Sequence, residues 1–311
     1  MKTYIAKAIT GLEEISAEEL DGNVILPQTI SFKRLKKDPR TVDAIYILVK
    51  QFAFSSMDDI ISSIKNVAKS FNKKTIYDIS CSRKGDHQFK SVDVAKEAGI
   101  LLRKEGYRID YKNPKKTIII DIIDQNCLIG LLVKDNICKR SYRIKYNNRS
   151  ISSCIAAALI KVANTKKQDV ILDPLCKDAV IPIEAFKQGI KHVNAIDPLK
   201  NNVRNALINC KYAKTKVIPQ CYEMNWLDTL FKKQSINHII TNMLLSKHDE
   251  EPEKLVKEFF HQANFVAKDS IVIITNKPDL IKNASSNFKL TKEIKISVGD
   301  MHYTILKYVK N

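Results

Sequence analysis

The chain has 311 residues, 44% of them hydrophobic, and a formal net charge of +18 at pH 7. That length suits two or three packed units, and that apolar content excludes a disordered binder; no run approaches the roughly 18 apolar residues a membrane span needs. Charge of this sign and size attracts polyanions, nucleic acid above all, through release of condensed counterions.

Seven cysteines with no CxxC spacing predict reduced, mostly buried thiols, with neither a metal site nor a disulfide frame. The opening residues lack the apolar core of a secretory leader, so a cytoplasmic protein is expected.

In chain order, residues 4–9 alternate as a strand. Thr10 followed by Glu13 reads as a capping box for the helix that carries Leu12, Ile15 and Leu20. Short strands are predicted at 24–26, around 31–34 and at 44–49. A helix over 57–71 places Ile60, Ile61, Ile64, Val67 and Ala68 on one face. A strand at 74–80, a helix at 92–104 and a hairpin of 117–124 with 127–133 follow. Residues 135–149 are polar, basic and weakly periodic, as a linker would be.

Beyond the linker, helices alternate with apolar runs. Helices are predicted at 152–164, 180–188, 201–213 and 253–266. Strands are predicted at 170–173, 192–196, 236–241 and 270–275, with a closing antiparallel pair at 292–296 and 303–309. This alternation implies a doubly wound, mostly parallel sheet.

The segment CSRKGDHQFKSVDVAKEAG, residues 81–99, carries the sharpest signal of the first half. Arg83, Lys84, Gly85 and His87 form a basic turn, and Ser91 can cap the helix that follows. Such a turn offers cations and helix N–H groups to a phosphate. His87 and Phe89 can stack or hydrogen-bond with an unpaired nucleotide.

Together with DYKNPKKTIIIDIIDQNCLIGLLV, this segment resembles a THUMP domain, and the opening strand with GLEEISAEEL resembles the start of THUMP-bearing tRNA and rRNA guanine methyltransferases. The resemblance implies a ferredoxin-like unit at 1–56, a THUMP domain at 57–134, a linker at 135–149 and a Rossmann-like methyltransferase domain at 150–311. It implies tRNA or another structured RNA as partner, contacted by Arg83, Lys84, Gly85, His87 and Lys90. Arg140, Arg143, Lys145 and Arg149 are expected to continue the cationic track along the linker.

The second half is similar to the methyltransferase domain of the same family. ILDPLCKDAVIPIEA follows the pattern DPxCGSGTIPIEA at Asp173, Pro174, Cys176, Ile181, Pro182, Ile183, Glu184 and Ala185. By that resemblance Asp173, Asp197 and Glu223, with Asp228 as alternative to the last, would face S-adenosylmethionine, Asp197 at its ribose hydroxyls. Asn242 would be the catalytic residue if the site is active.

Two departures stand out. The family's Gly-Ser-Gly is Lys177-Asp178-Ala179 here, which puts side chains where the methionine part of the cofactor would lie and costs about 1–3 kcal/mol per strained residue. Its Asn-Pro-Pro-Tyr is Asn242-Met243-Leu244-Leu245, without the rigid prolines or the ring that would stack on a flipped base. The resulting expectation is a tRNA-binding pseudo-methyltransferase or partner subunit, with residues 243–245 as an apolar patch for a protein partner. The alternative is an active S-adenosylmethionine-dependent enzyme acting on the exocyclic amine of guanine.

Overall fold

The computed structural model describes residues 2–246, 251–285 and 287–310, and the chain clusters into two compact units. The elements of the N-terminal part are β1 (Tyr4–Ala8), α1 (Glu13–Leu20), β2 (Asn23–Leu26), β3 (Thr29–Phe32), β4 (Val42–Ala53), α2 (Met57–Ala68), β5 (Ile76–Lys84), α3 (Ser91–Lys104), β6 (Arg108–Ile109), β7 (Lys116–Ile123) and β8 (Asn126–Lys134).

The first unit is one eight-stranded sheet in the order β2-β3-β1-β4-β8-β7-β5-β6. The long strand β4 pairs with β1 on one edge and β8 on the other, so the sheet is continuous across the expected border at residue 56. Ile60, Ile64 and Val67 of α2 pack with Val94, Ala98 and Leu102 of α3 over Ile118, Ile120, Ile122 and Ile129 of the sheet. Period-2 alternation in β7 and the helical spacing of α2 make those two faces complementary. Helix α2 is closed by a capping box, Ser56 Oγ accepting from Asp59 N and the Asp59 carboxylate accepting from Ser56 N. Two expected caps are corrected. Asp93, whose carboxylate accepts from Lys90 N, closes the start of α3 one residue before Ser91. Thr10 makes a backbone bridge to Ser297, and the Glu13 carboxylate instead accepts from Gly11 N.

The second unit holds α4 (Ser153–Ala163), β9 (Val170–Asp173), α5 (Val180–Lys187), β10 (His192–Asp197), α6 (Lys200–Tyr212), β11 (Gln220–Cys221), α7 (Leu227–Leu230), β12 (Ile236–Met243), α8 (Pro252–Val266), β13 (Ala267–Thr275), α9 (Pro278–Ala284), β14 (Phe288–Val298) and β15 (Met301–Lys310). Its sheet runs β11-β10-β9-β12-β13-β15-β14, with parallel pairing from β11 to β13 and antiparallel pairing of β13, β15 and β14. The chain leaves β9 toward β10 on one side and returns at β12 on the other. This is a Rossmann-like, doubly wound fold, and the crevice outside the β9 and β12 ends is where such sheets bind ligands. Leu12 and Ile15 join the core of this unit beside α4.

Residues 137–149 are no free linker. Ile137 and Tyr142 are buried, and Cys138 and Cys154 form a disulfide with Cα atoms 5.2 Å apart. This corrects the expectation of reduced thiols throughout. The two cysteines are 16 residues apart, a pairing that no local spacing rule detects, and only the fold brings them within bridging distance. Among the described residues no helix is long and apolar enough to cross a membrane.

Candidate active site and RNA-binding face

A cleft of about 450 Å³ opens at the C-terminal ends of β9, β10 and β12, with Lys177, Asp197, Leu199, Asn242 and Arg149 in its wall. Asp173 ends β9 beneath it, fully enclosed. Its Oδ1 accepts from Thr241 Oγ1 at 2.8 Å and from Leu175 N at 3.3 Å. Burial drives the Asp173 carboxyl up to about 7, against the opposing pull of those donors and of the Lys177 ammonium.

The loop after β9 keeps the backbone that glycines would serve. Lys177 and Ala179 both sit in the left-handed region, at φ 51° and 62°, at a cost of about 1–3 kcal/mol each. The two replaced side chains part company. Asp178 turns away from the cleft into a buried pair with Arg143 at 2.9 Å, and a hydrogen bond from Ser150 Oγ completes it. That corrects the expectation that both side chains enter the cofactor space. Lys177 alone does so. Its Nζ donates to the backbone carbonyl of Asn242 at 2.5 Å and to that of Leu175 at 3.4 Å. Burial draws the Lys177 ammonium below its ordinary pKa, while Asp173 and Asp197 pull it upward.

Asp197 ends β10 and is 3% exposed. Oδ1 accepts from Leu199 N and Asn202 Nδ2, at 3.0 and 2.9 Å, and Oδ2 accepts from Lys177 N at 2.9 Å. A carboxylate has roughly four acceptor positions, so Oδ2 retains capacity for a further hydroxyl. Asn242, near the end of β12, is also 3% exposed. Its Nδ2 donates to the carbonyl of Arg149 at 2.7 Å, which fixes the amide so that Oδ1 is the remaining acceptor. That oxygen is buried with no hydrogen-bond partner. An unpaired buried acceptor costs about 1–3 kcal/mol, and the group that offsets this is an N–H or O–H donor.

The other expected site residues lie elsewhere. Glu223 and Asp228 are exposed on the segment around α7, and neither is among the residues lining the cleft. Met243 and Leu245 are buried in the unit's own core, which corrects the reading of residues 243–245 as an exposed docking patch. Arg140 and Arg143 are also turned inward. The Arg140 side chain, 11% exposed, pairs with the buried Glu184, which Arg40 and Tyr142 also contact; the Arg143 side chain is 8% exposed. Two guanidinium groups spent on buried carboxylates cannot also track a phosphate backbone. Sequence periodicity gave no signal for this, because the acids they meet lie 35 to 44 residues away.

On the first unit, the basic turn is built as expected. Arg83, Lys84 and Lys90 are exposed. Gly85 has φ +107°, where a residue with a Cβ is strained, and a Cβ there would come within 2.8 Å of Asp124 Oδ1. Arg83 Nη1 donates to the Gly85 carbonyl at 2.9 Å and lies 3.1 Å from His87 Nδ1; His87 Nε2 is 2.8 Å from the Asp124 carbonyl. The His87 ring thus donates from Nε2 and accepts at Nδ1. It stacks on Phe54 at 5.7 Å and packs on Phe89 at 5.2 Å, beside a cavity of about 810 Å³ that also reaches Ser55 and Ser56 at the start of α2.

The description "RMKL-like, methyltransferase domain" matches residues 140–305, and "THUMP domain" matches residues 54–132. A tRNA (guanine(6)-N2)-methyltransferase of Archaeoglobus fulgidus is 25% identical over 205 residues, 58% of this chain and 52% of that protein. The chain therefore spans about half the length of that curated relative. In fold, it is similar to TrmN from Thermus thermophilus, with a TM-score of 0.86, 18% identity and full coverage of both chains. It is also similar to SMU.472, a putative methyltransferase complexed with SAH, with a TM-score of 0.80, 16% identity, and coverage of 100% of this chain and 98% of that one.

Proposed function

The chain belongs to the RMKL-like methyltransferase family and carries a THUMP domain, and from that premise we propose that it is a cytoplasmic, S-adenosylmethionine-dependent tRNA methyltransferase acting on the exocyclic amine of guanine. The observation that carries this reading is the orphaned Oδ1 of Asn242. It is a fixed acceptor on a residue that lines the cleft in which a Rossmann-like sheet binds its ligand, and an N–H such as an amine's is the group it lacks. The cleft residues fit the cofactor in part. Asp197 has one acceptor position left for a ribose hydroxyl, and Leu199 and Leu255 supply apolar wall. S-adenosylmethionine, when bound, supplies the methyl group. Asn242 orients the amine through Oδ1, and the Arg149 carbonyl keeps the amide from rotating.

In the same reading, Arg83, Lys84 and Lys90 meet RNA phosphates, Gly85 shapes their turn, and His87 with Phe54 offers a stacking platform. A second reading, an RNA-binding protein that no longer transfers methyl groups, is favoured by one observation: Lys177 bridges the cleft to Asn242.

Incubation of the protein and tRNA with methyl-labelled S-adenosylmethionine separates the two. Labelled N2-methylguanine in the tRNA is the expected product, and Asn242→Ala should lower its rate by about a hundredfold, as loss of a positioned polar group does. Absence of label at saturating cofactor sinks the enzyme reading in favour of the second.

A further inference from the structure

Among the described residues the lining of the cleft contains no aromatic side chain. After Asn242, where the family's ring would stand, the chain has Met243, Leu244 and Leu245, and the first and last of these are buried in the core. A base turned out of its helix loses its stacking partners, and an enzyme that extrudes it replaces them from its own pocket. One wall of the cleft comes from the stretch before α4, where Asn147 and Arg149 line it. Asparagine side chains hold that stretch at three points. Asn209 Oδ1 accepts from Ile144 N and Lys145 N, at 3.0 and 2.9 Å, and its Nδ2 donates to the Lys145 carbonyl. Asn147 Nδ2 donates to Asn202 Oδ1 at 3.0 Å, nearer the start of α6. The Arg149 carbonyl accepts from Asn242.

Between those anchors stands Tyr146, 62% exposed. The Arg143 guanidinium lies over its ring, 4.8 Å from the centroid, and is itself pinned by Asp178, Ser150 and the Ile151 carbonyl. The ring therefore has one face covered by a fixed cation and much of the rest exposed. Cation–π attraction orders it, and an ordered ring gives up little freedom when a base stacks on it. Three peptide units part Tyr146 from Arg149, at most about 11 Å between Cα atoms, a gap that a tyrosine side chain and a purine span together. We propose that Tyr146 is the stacking ring for the extruded guanine, supplied by the stretch before α4 in place of the ring missing after Asn242. The inference rests on the guanine-methylating reading above and names the residue on which its substrate base is laid.

The test uses the full chain, the variants Tyr146→Ala, Tyr146→Leu and Tyr146→Phe, and His248→Ala, since His248 lies outside the described residues and its ring can also stack. The guanine that wild type labels is located in the tRNA, and a second tRNA is made abasic at that position. Each protein's affinity for the intact tRNA is divided by its affinity for the abasic one. Stacking on one base is worth about tenfold to a hundredfold in affinity. The ratio should therefore fall by about tenfold or more in Tyr146→Ala and Tyr146→Leu, and Tyr146→Phe should keep it. A role confined to supporting Arg143 would weaken both tRNAs alike and leave the ratio unchanged. An unchanged ratio in Tyr146→Ala and Tyr146→Leu overturns the inference and leaves the methyltransferase reading standing, as does a ratio lost in His248→Ala alone. No labelled guanine with wild type overturns that reading and this inference together.

Discussion

At the scale of single residues, the second unit sets a few polar groups at strand ends and gives each a different state by its neighbours. Asp173 and Asp197 both end parallel strands, yet Asp173 is enclosed beneath the loop and Asp197 lines the cleft. The enclosed carboxyl is raised from an ordinary 3.8 to about 7, chiefly by burial. A carboxyl whose folded pKa lies above its unfolded one contributes stability that is complete below about pH 4 and lost as pH rises through about 7. Asp173→Asn keeps the Oδ1 acceptor for Thr241 and removes the charge. It should flatten the dependence of the melting temperature on pH between about 4 and 7 and raise the melting temperature at pH 8; parallel melting curves of the two proteins would show otherwise. Asp173, Asp197 and Asn242 were all named from sequence, through the family resemblance of the motifs that carry them; the hydrophobic runs gave only the strands they end. Their separate environments were not, because enclosure depends on Thr241, Arg149 and Lys177, which come from three different parts of the chain.

At the scale of elements, the periodic segments match their predicted spans to within a few residues. The strand at 170–173 coincides with β9, and the helices over 57–71 and 253–266 lose or gain residues only at their ends. Short or weakly periodic pieces escaped notice: β6, β11, α7 and α9 are too brief for a period to show. The largest departure is the stretch before α4. Its polar composition suggests a solvated linker, but Arg140 and Arg143 find buried acids and Cys138 bonds to Cys154 in the first turn of α4. That crosslink closes a short loop, and removing it with Cys154→Ser should lower unfolding free energy by about 2–4 kcal/mol. Denaturant titration of the variant under oxidising conditions measures this; an unchanged midpoint would mean that the crosslink adds no stability. Among the remaining cysteines of the described residues, Cys127, Cys176 and Cys210 are buried and Cys221 is exposed. Burial pushes the Cys210 thiol up to about 11, so a thiol reagent should modify Cys221 first in the native protein; equal rates at all sites would contradict the packing.

At the scale of the whole molecule, a charge of +18 attracts polyanions, and in the proposed reading the exposed Arg83 and Lys84 of the turn give one a defined place. Reversing charge with Arg83→Glu and Lys84→Glu should weaken tRNA binding and reduce its salt slope by about one for each lost phosphate contact. Filter binding across a salt series reads both quantities, and affinity equal to wild type would move the RNA face elsewhere. Sequence alone determined the two-part organisation, the parallel sheet, the basic turn with its required glycine, and the acid and amide at the ends of β10 and β12. The sheet and the turn follow from periodicity and turn chemistry among near neighbours; the acid and the amide follow from the family resemblance of their motifs. Tertiary structure alone decided which of the basic residues are exposed and which pair with buried acids, that two distant cysteines join, and that of the residues replacing glycine only Lys177 enters the cleft. Where a long side chain points is set by the partner it finds, and Lys177 finds Asn242 from 65 residues away.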